Sequence, residues 1–325
     1  MITTIQTEDY RRDRIQVSRV DELDMETAKK IRISLIRQGI LTGRDEALLE
    51  YLREMGVLSL DHIKRLFWPG GSRKTAYNRV LKLSGHHLLG LTRSPKAAMT
   101  GCGLYPSRVY GLSTVGRLWL RQEVNNDFIS RYLKRDQVLH DLMVAELFTR
   151  LTEQVRRRGR GWRFEMFGEH SASYYEQGAE LPTIAPDGLG ILTQMVEGEE
   201  ISLPFFVEMD AGREGHGTLS SDWGRKVVGY DRFFSGNWRL HRALTRLAAF
   251  PAVLVITHGK QRMLNLAEAI AKKRQKSVIY FLARWEEDIL PAEDIFTTPV
   301  WMVINPDGDV IGEKEEDRRP LMVQG

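Results

Sequence analysis

The chain has 325 residues, enough for two domains that each bury a core, and its 42% hydrophobic and 28% charged residues describe a soluble globular protein, not a disordered one. No window approaches the roughly 18 apolar residues of a membrane span, the N-terminus carries no signal-peptide pattern, and the single Cys102 excludes an internal disulfide or a cysteine-rich zinc site; a cytoplasmic protein with no membrane partner is expected. The net charge of +4 is small but unevenly spread: residues 62–122 hold no Asp or Glu and eleven Lys and Arg, a one-signed field that attracts phosphate unless it is only a solvated basic face.

In chain order, residues 1–43 read as an extended arm followed by a connecting helix near Met25–Gln38. From Asp45, Leu48, Leu49, Leu52 and Met55 recur at helical spacing until Gly56. Ser59 caps a second short helix with Leu60, Ile63, Leu66 and Phe67 on its apolar side. Pro69-Gly70-Gly71 turns the chain, and Ser72 caps a third helix with Ala76, Val80, Leu81 and Leu83 inward and Gly85 as its stop. Two β-prone runs, 88–92 and 108–112, flank a Gly/Pro/Ser-rich loop at 93–107 and predict a hairpin. A last helix starts at Ser113 with Val115, Leu118, Trp119 and Leu120. Three helices, a hairpin and a closing helix make up a winged helix-turn-helix, expected over 44–125.

A long amphipathic helix is expected over 136–157, ended by the run RRRGRG. Strand-like segments follow at 162–170, 184–192 and 203–210, a helix at 220–234, a strand at 252–258, a helix near 261–274 and a strand at 277–285. This order predicts one mixed sheet flanked by helices, so the fold class is α+β/α/β. Residues 135–290 make up that domain and 291–325 a C-terminal extension, whose end, PDGDVIGEKEEDRRP at 306–320, is polar and expected to be peripheral. No internal repeat is visible.

Two constellations carry chemistry. On the third helix, Arg73, Lys74, Tyr77, Asn78, Arg79 and Lys82 occupy the element that would enter the major groove, where Arg bridges guanine and Asn bridges adenine. Ser72, Thr75 and the helix N-terminus would hold phosphate, and the loop with Arg93, Lys96 and Arg108 would form the wing. A protein-binding winged helix is the alternative. The second constellation is acidic: strand alternation puts Glu208 and Asp210 on one face and Val207 and Met209 on the other, with Asp187 on the adjoining strand. Converging carboxylates repel unless a cation joins them, so Asp187, Glu208 and Asp210 are candidate ligands for Mg²⁺ or Mn²⁺, which would activate water for attack on phosphate. Lys226 is placed to stabilise charge there, or to pair with Asp222 one turn earlier; for the acids the alternative is an ordinary strand end. His140 would assist, alongside Glu146, or be a structural histidine between helix and sheet. His86, His87 and His216 have no metal-ligand spacing, and no Walker or Rossmann pattern occurs.

These residues carry a resemblance. The winged-helix pattern ending in VYGLSTVGRLWL, then VLHDLMV at 138–144, PDG at 186–188, VEMDAG at 207–212 and KVVGY at 226–230 resemble, in that order, the replication-relaxation family of plasmid and mobile-element proteins. The C-terminal half is similar to the PD-(D/E)xK, or restriction-endonuclease-like, superfamily. That likeness implies Asp187 as first metal ligand, Glu208 as second, and Lys226 as a migrated lysine, since Asp210 stands where the superfamily has lysine. The resemblance implies a DNA-binding protein of plasmid or mobile-element replication or transfer, with either a metal-dependent nuclease or an inert nuclease-like accessory module. A transcriptional regulator is a third class. Double-stranded DNA is the expected partner, with replication or transfer proteins and a second copy of the chain (a homodimer) as further candidates.

Overall fold

In the computed structural model the described residues are 23–92, 94–120, 135–210, 222–236 and 238–322. They form two compact units. The first comprises the described parts of 1–52, 57–94 and 107–135, and the second those of 53–56, 95–106 and 136–325.

The first unit holds helices α1 (Met25–Gln38), α2 (Gly43–Met55, its last turn counted with the second unit), α3 (Leu60–Phe67), α4 (Arg73–Gly85) and α6 (Thr114–Trp119). Both expected caps form. Ser59 accepts from the His62 backbone N–H, and Ser72 accepts from that of Thr75 at 3.1 Å. Helix α4 ends at Gly85, its expected stop. The hairpin strands β2 (Leu89–Thr92) and β3 (Val109–Leu112) pair antiparallel as expected, and an unexpected strand β1 (Val57–Ser59) pairs with β3 on its other side. Three residues are too few for a periodic signal, so β1 was hidden between two helices. Leu48, Leu49, Ile63, Ala76, Val80, Leu83, Val109 and Val115 form the buried centre, whereas Leu81, Leu118 and Trp119 are only half-buried.

The loop expected at 93–107 contains a short helix, α5 (Lys96–Gly101), which belongs to the second unit. There the Trp285 indole N–H donates to the Cys102 carbonyl at 2.9 Å. An apolar anchor, Met99, is fully buried inside a stretch whose composition reads as loop.

The second unit is a seven-stranded mixed sheet in the order β10-β9-β8-β7-β6-β5-β4. Its strands are β4 (Trp162–Gly168), β5 (Gly188–Val196), β6 (Glu199–Asp210), β7 (Ala252–Thr257), β8 (Tyr280–Arg284), β9 (Met302–Ile304) and β10 (Val310–Ile311). Strands β6, β7 and β8 run parallel, and the flanking pairs are antiparallel. Strand β5 begins at Gly188, later than expected, because Pro186 has no N–H to give the ladder. The C-terminal extension adds β9 and β10 to the sheet, with Trp301, Met302 and Ile304 fully buried; its polar end at 306–320 is not peripheral, since β10 lies within it and the buried Arg318 pairs with Asp288 at 2.7 Å. Its charged composition concealed an internal ion pair.

Helix α7 (Arg135–Arg158), α8 (Glu169–Ala172), α9 (Asp222–Ser235) and α10 (Lys260–Lys273) complete the unit. On one sheet face, Leu189, Ile191, Phe206, Val253 and Val255 pack with Trp223, Val227, Tyr230 and Phe233 of α9 and Met263, Leu266 and Ile270 of α10. On the other, the rings of Phe148 of α7, Phe164, Phe205 and Phe296 follow one another at 6.0, 6.3 and 6.4 Å between centroids. Gly190 leaves room for that row, since a Cβ there would stand 2.5 Å from Phe205 ring carbons. Helix α7 is buried all round from Leu142 to Thr149, so over that stretch it is a core helix and not the amphipathic one expected. No helix among the described residues is long and apolar enough to cross a membrane.

Asp45, 1% exposed, ties the first unit together. It accepts from the Thr42 N–H at 2.8 Å and from the Thr42 hydroxyl at 2.6 Å. Arg79 grips it through Nε at 2.7 Å and through a second nitrogen, and also donates to the Ile40 carbonyl. Burial works against the Asp45 charge, and Arg79 with Thr42 overcomes it, holding the carboxyl below its usual range. Replacing Arg79 with Ala strands that carboxylate and is expected to cost about 3 kcal/mol, read as an earlier urea midpoint in equilibrium unfolding. Unchanged stability would show the pair to be dispensable.

Candidate functional site

Helix α4 presents Ser72, Arg73, Lys74, Thr75, Asn78 and Lys82 to solvent. The Ser72 hydroxyl is spent on the helix cap and on Thr75 Oγ1, 2.9 Å away. Tyr77 is half-buried under Arg108, whose guanidinium lies 5.4 Å from the ring centroid and donates to the phenol oxygen at 2.9 Å. Arg79 turns inward to Asp45. Of the expected wing residues, Arg108 is exposed beside Tyr77, Lys96 is exposed on α5 in the second unit, and Arg93 lies outside the described residues.

The acidic constellation lies at the carboxyl end of β6. Alternation along β6 sends Phe205, Val207 and Met209 towards the α7 side and Phe206, Glu208 and Asp210 towards α9 and α10. Glu208 is 1% exposed. Its two oxygens are taken by Lys226 Nζ and the Tyr230 hydroxyl, each at 2.7 Å. Lys226 and Tyr230 are four residues apart, on one face of α9; Lys226 reaches Glu208, and Asp222, one turn earlier, binds Arg225.

Asp187 precedes β5 and closes its end of the ladder. Its N–H donates to the Val207 carbonyl at 2.9 Å, and its carboxylate accepts from the Met209 N–H at 2.6 Å. His140, reaching over from α7, places Nε2 3.3 Å from the Asp187 carboxylate and 3.2 Å from the Met209 carbonyl. Asp141 stands beside its other nitrogen at 3.4 Å. Glu146 does not join this group and pairs with Arg150.

Asp210 is fully buried and differently held. Arg262 of α10 grips it at 2.8 and 2.9 Å, and the Thr257 hydroxyl donates to it at 2.7 Å. The expected cluster of three carboxylates therefore resolves into Asp187 and Glu208, with Asp210 closed by its own cation. Among the described residues no three His, Cys, Asp or Glu side chains are grouped to hold one metal ion. Tyr230 and Arg262 were not singled out from the sequence. The i, i+4 spacing of Lys226 and Tyr230 marked the first, whereas nothing local marked the second.

Burial sets the electrostatics. It pushes the Glu208 carboxyl up to about 7, against Lys226 and with help from the Asp187 charge. For His140, burial acts downward, but Asp187 and Asp141 overcome it and lift the imidazole to about 11. Asp187 correspondingly stays below the usual carboxylate range: burial opposes its charge, and His140, Lys226 and the Met209 N–H outweigh that.

A mixed-sheet α/β unit with a paired carboxylate–lysine–histidine site, joined to a helical unit with an acid-free basic helix, defines the class of protein. The chain belongs to the replication-relaxation family, whose family model matches residues 49–247, more than half of its length. No curated protein and no solved structure gives a significant match.

The His140–Asp187 pair has a pH signature. A histidine raised in the folded state contributes stability that is complete below its free value and is lost as pH rises through the folded one, here towards about 11. Glu208 runs the other way, since its raised carboxyl makes ionisation a cost that grows from 4.5 to about 7. In histidine-labelled NMR spectra, the His140 ring is expected to remain doubly protonated at about pH 9, and to lose a proton near neutrality in Asp187→Asn. A wild-type ring already neutral at that pH would refute the pairing.

Proposed function

We propose that the first unit is a winged helix-turn-helix that binds duplex DNA through α4, and that the protein serves replication or transfer of a plasmid or mobile element. The observation that carries this reading is the solvent-facing row Arg73, Lys74, Asn78 and Lys82 on a helix with no acidic residue. Family membership supports the replication setting. Arg79 is excluded from the contact set because the fold consumes it, and Arg108 stacked on Tyr77 supplies a further cation beside the helix. Replacing Arg73, Lys74 and Lys82 together with Ala is expected to weaken duplex binding more than about tenfold at moderate salt. It should also reduce the slope of log affinity against log salt by up to about three. Equal affinity and slope in the triple variant would overturn the assignment of α4.

A second reading concerns the sheet edge, where the second unit acts as a restriction-endonuclease-like module that hydrolyses phosphodiesters. It rests on Asp187, bonded to the backbone of Val207 and Met209 on either side of Glu208, where its charge helps to raise the Glu208 carboxyl. Mg²⁺ and Mn²⁺ are compatible with this donor set, because such an ion is commonly held by one or two carboxylates and completed by water and phosphate. Asp187 and Glu208 would hold it, and Asp210 would not. Such an ion supplies Lewis-acid stabilisation and a more acidic water. Within the chain, Tyr230 orients Glu208, His140 fixes Asp187 to the strand end, and Lys226 offers its charge to a phosphate oxygen. Incubated with supercoiled plasmid and Mg²⁺ or Mn²⁺, the protein is expected to nick or linearise it, and Glu208→Ala to abolish this while still shifting DNA in a gel. A wild-type protein that shifts DNA but leaves it intact would instead support an accessory binding protein.

A further inference from the structure

From Arg232 to Ala267 the chain holds no Asp or Glu and six Lys and Arg, a second acid-free run, this one within the second unit. Two of the six are consumed by the fold, since Arg232 pairs with Glu176 and Arg262 holds Asp210. Three others, Arg239, Arg242 and Arg246, are exposed on the stretch between α9 and β7. That stretch has a period of its own. The His241 N–H donates to the Trp238 carbonyl at 3.0 Å, that of Leu244 to His241 at 2.8 Å, and that of Leu247 to Leu244 at 3.0 Å. Turns closed every three residues bring side chains three apart into line. Trp238, His241 and Leu244 are accordingly buried and Leu247 half-buried, while the residues between them face outward, with only Ala243 half-buried.

The inward row anchors this ridge. Trp238 and Leu244 belong to the core beneath α9, with Trp238 edge-on to Phe250 at 5.7 Å between centroids. The His241 ring lies 6.3 Å from both Tyr174 and Phe233. Arg239 covers the Trp238 ring at 4.2 Å and donates to the Ala248 carbonyl at 3.2 Å, which ties the ridge together and leaves the guanidinium its charge. Among the described residues no carboxylate pairs with Arg239, Arg242 or Arg246. Fork-shaped guanidinium donors match the oxygens of phosphate. The ridge is also separate from the acidic site. It enters β7 at the amino end, where Ala252 lies opposite Phe205, whereas Thr257 lies opposite Asp210 at the carboxyl end. Those levels are five residues, about 17 Å, apart along the strand.

We propose that this ridge is a second contact for the backbone of duplex DNA, made by the second unit through Arg239, Arg242 and Arg246. It rests on the reading that the chain binds duplex DNA, and it needs no hydrolysis. Contacts to phosphate position a protein without reading sequence, so the ridge adds affinity and leaves base readout to α4. Two binding units in one chain also reinforce each other, because the second binds at a raised effective concentration once the first is engaged. The exposed Leu240 in the same ridge makes an anionic membrane the competing occupant.

The test is the fluorescence anisotropy of a labelled duplex titrated with the full chain over a series of salt concentrations. Replacing Arg239, Arg242 and Arg246 with Ala is expected to weaken binding about tenfold and to lower the slope of log affinity against log salt by up to about three. Because Arg239 also supports Trp238, the double variant Arg242→Ala, Arg246→Ala is measured beside it. That variant is expected to lose about fivefold in affinity and up to about two in slope, with an unchanged melting temperature. Lys at both positions should restore the slope. Wild-type affinity and slope in both ridge variants overturn the proposal and leave α4 standing. Loss of binding in the ridge variants, but not when Arg73, Lys74 and Lys82 are replaced, upholds the ridge and overturns α4. A wild-type chain that binds no duplex overturns both. Ridge variants that bind DNA normally but no longer sediment with phosphatidylserine vesicles assign the ridge to a membrane, and the proposal falls.

Discussion

A carboxylate buried as deeply as Glu208 cannot stand alone in a protein interior: unless it finds hydrogen-bond donors and a counter-charge it either loses its charge or forces the structure open. Here both donors come from a single helix. Lys226 and Tyr230 share one face of α9, so satisfying Glu208 obliges α9 to lie across the end of β6. The helix can do so because Gly229 lies between those two residues; a Cβ there would stand 2.4 Å from the Thr183 carbonyl oxygen. Trp223, Val227 and Phe233 are buried with Phe206 in one core cluster. The packing that excludes water is also what raises the Glu208 carboxyl, so the core and the site are one construction.

The same logic repeats along the edge. Asp187, Glu208 and Asp210 each have a cation from a different helix: His140 from α7, Lys226 from α9 and Arg262 from α10. Removing one partner of a buried pair leaves an uncompensated charge worth about 3–5 kcal/mol, so each pair docks its helix on the sheet as well as tuning its acid. The three are not equivalent. Asp210 has a two-nitrogen grip and a hydroxyl, which leaves it structural. The Asp187 charge helps to raise Glu208, while Asp187 itself is held below the usual carboxylate range by His140 and Lys226, so the two acids at this edge are driven apart in acidity.

Much of this frame is readable locally. The alternation 205, 207, 209 against 206, 208, 210 assigns each β6 side chain to its face, and Ser59 and Ser72 announce their helices because a cap is a matter of neighbouring residues. Family membership is visible in the order of short motifs. What is not legible is whatever depends on contacts distant in sequence. Arg79 looks like its exposed neighbours on α4 until Asp45, 34 residues earlier, is brought beside it. Arg262 gives no local sign that it will hold Asp210, and β9 is too short and its flanks too charged to read as sheet. Helix α7 reads as amphipathic from its sequence, but its polar Glu146 and Thr149 are buried and satisfied internally, Thr149 by the Ala145 carbonyl and Glu146 by Arg150.

Basic residues therefore divide by burial into two populations with opposite uses. A cation that turns inward meets a carboxylate whose desolvation must be offset, and its charge is consumed in holding the fold: Arg79, Lys226, Arg262 and His140 all behave this way. A cation on an outward face, such as Lys74 or Lys82, keeps its field in solvent, where a phosphate backbone can meet it with release of condensed counterions. On α4 the division falls within one helix, since Ala76, Val80 and Leu83 set the inward side and Arg79 flanks it. Net charge cannot distinguish the populations, which is why +4 overall is compatible with a strongly basic surface on one unit and an internally balanced site in the other. Lys226 sits between them. Its side chain is 23% exposed while its ammonium pairs with a carboxylate held near 7, so protonation of that carboxyl would free the charge for a ligand at the edge.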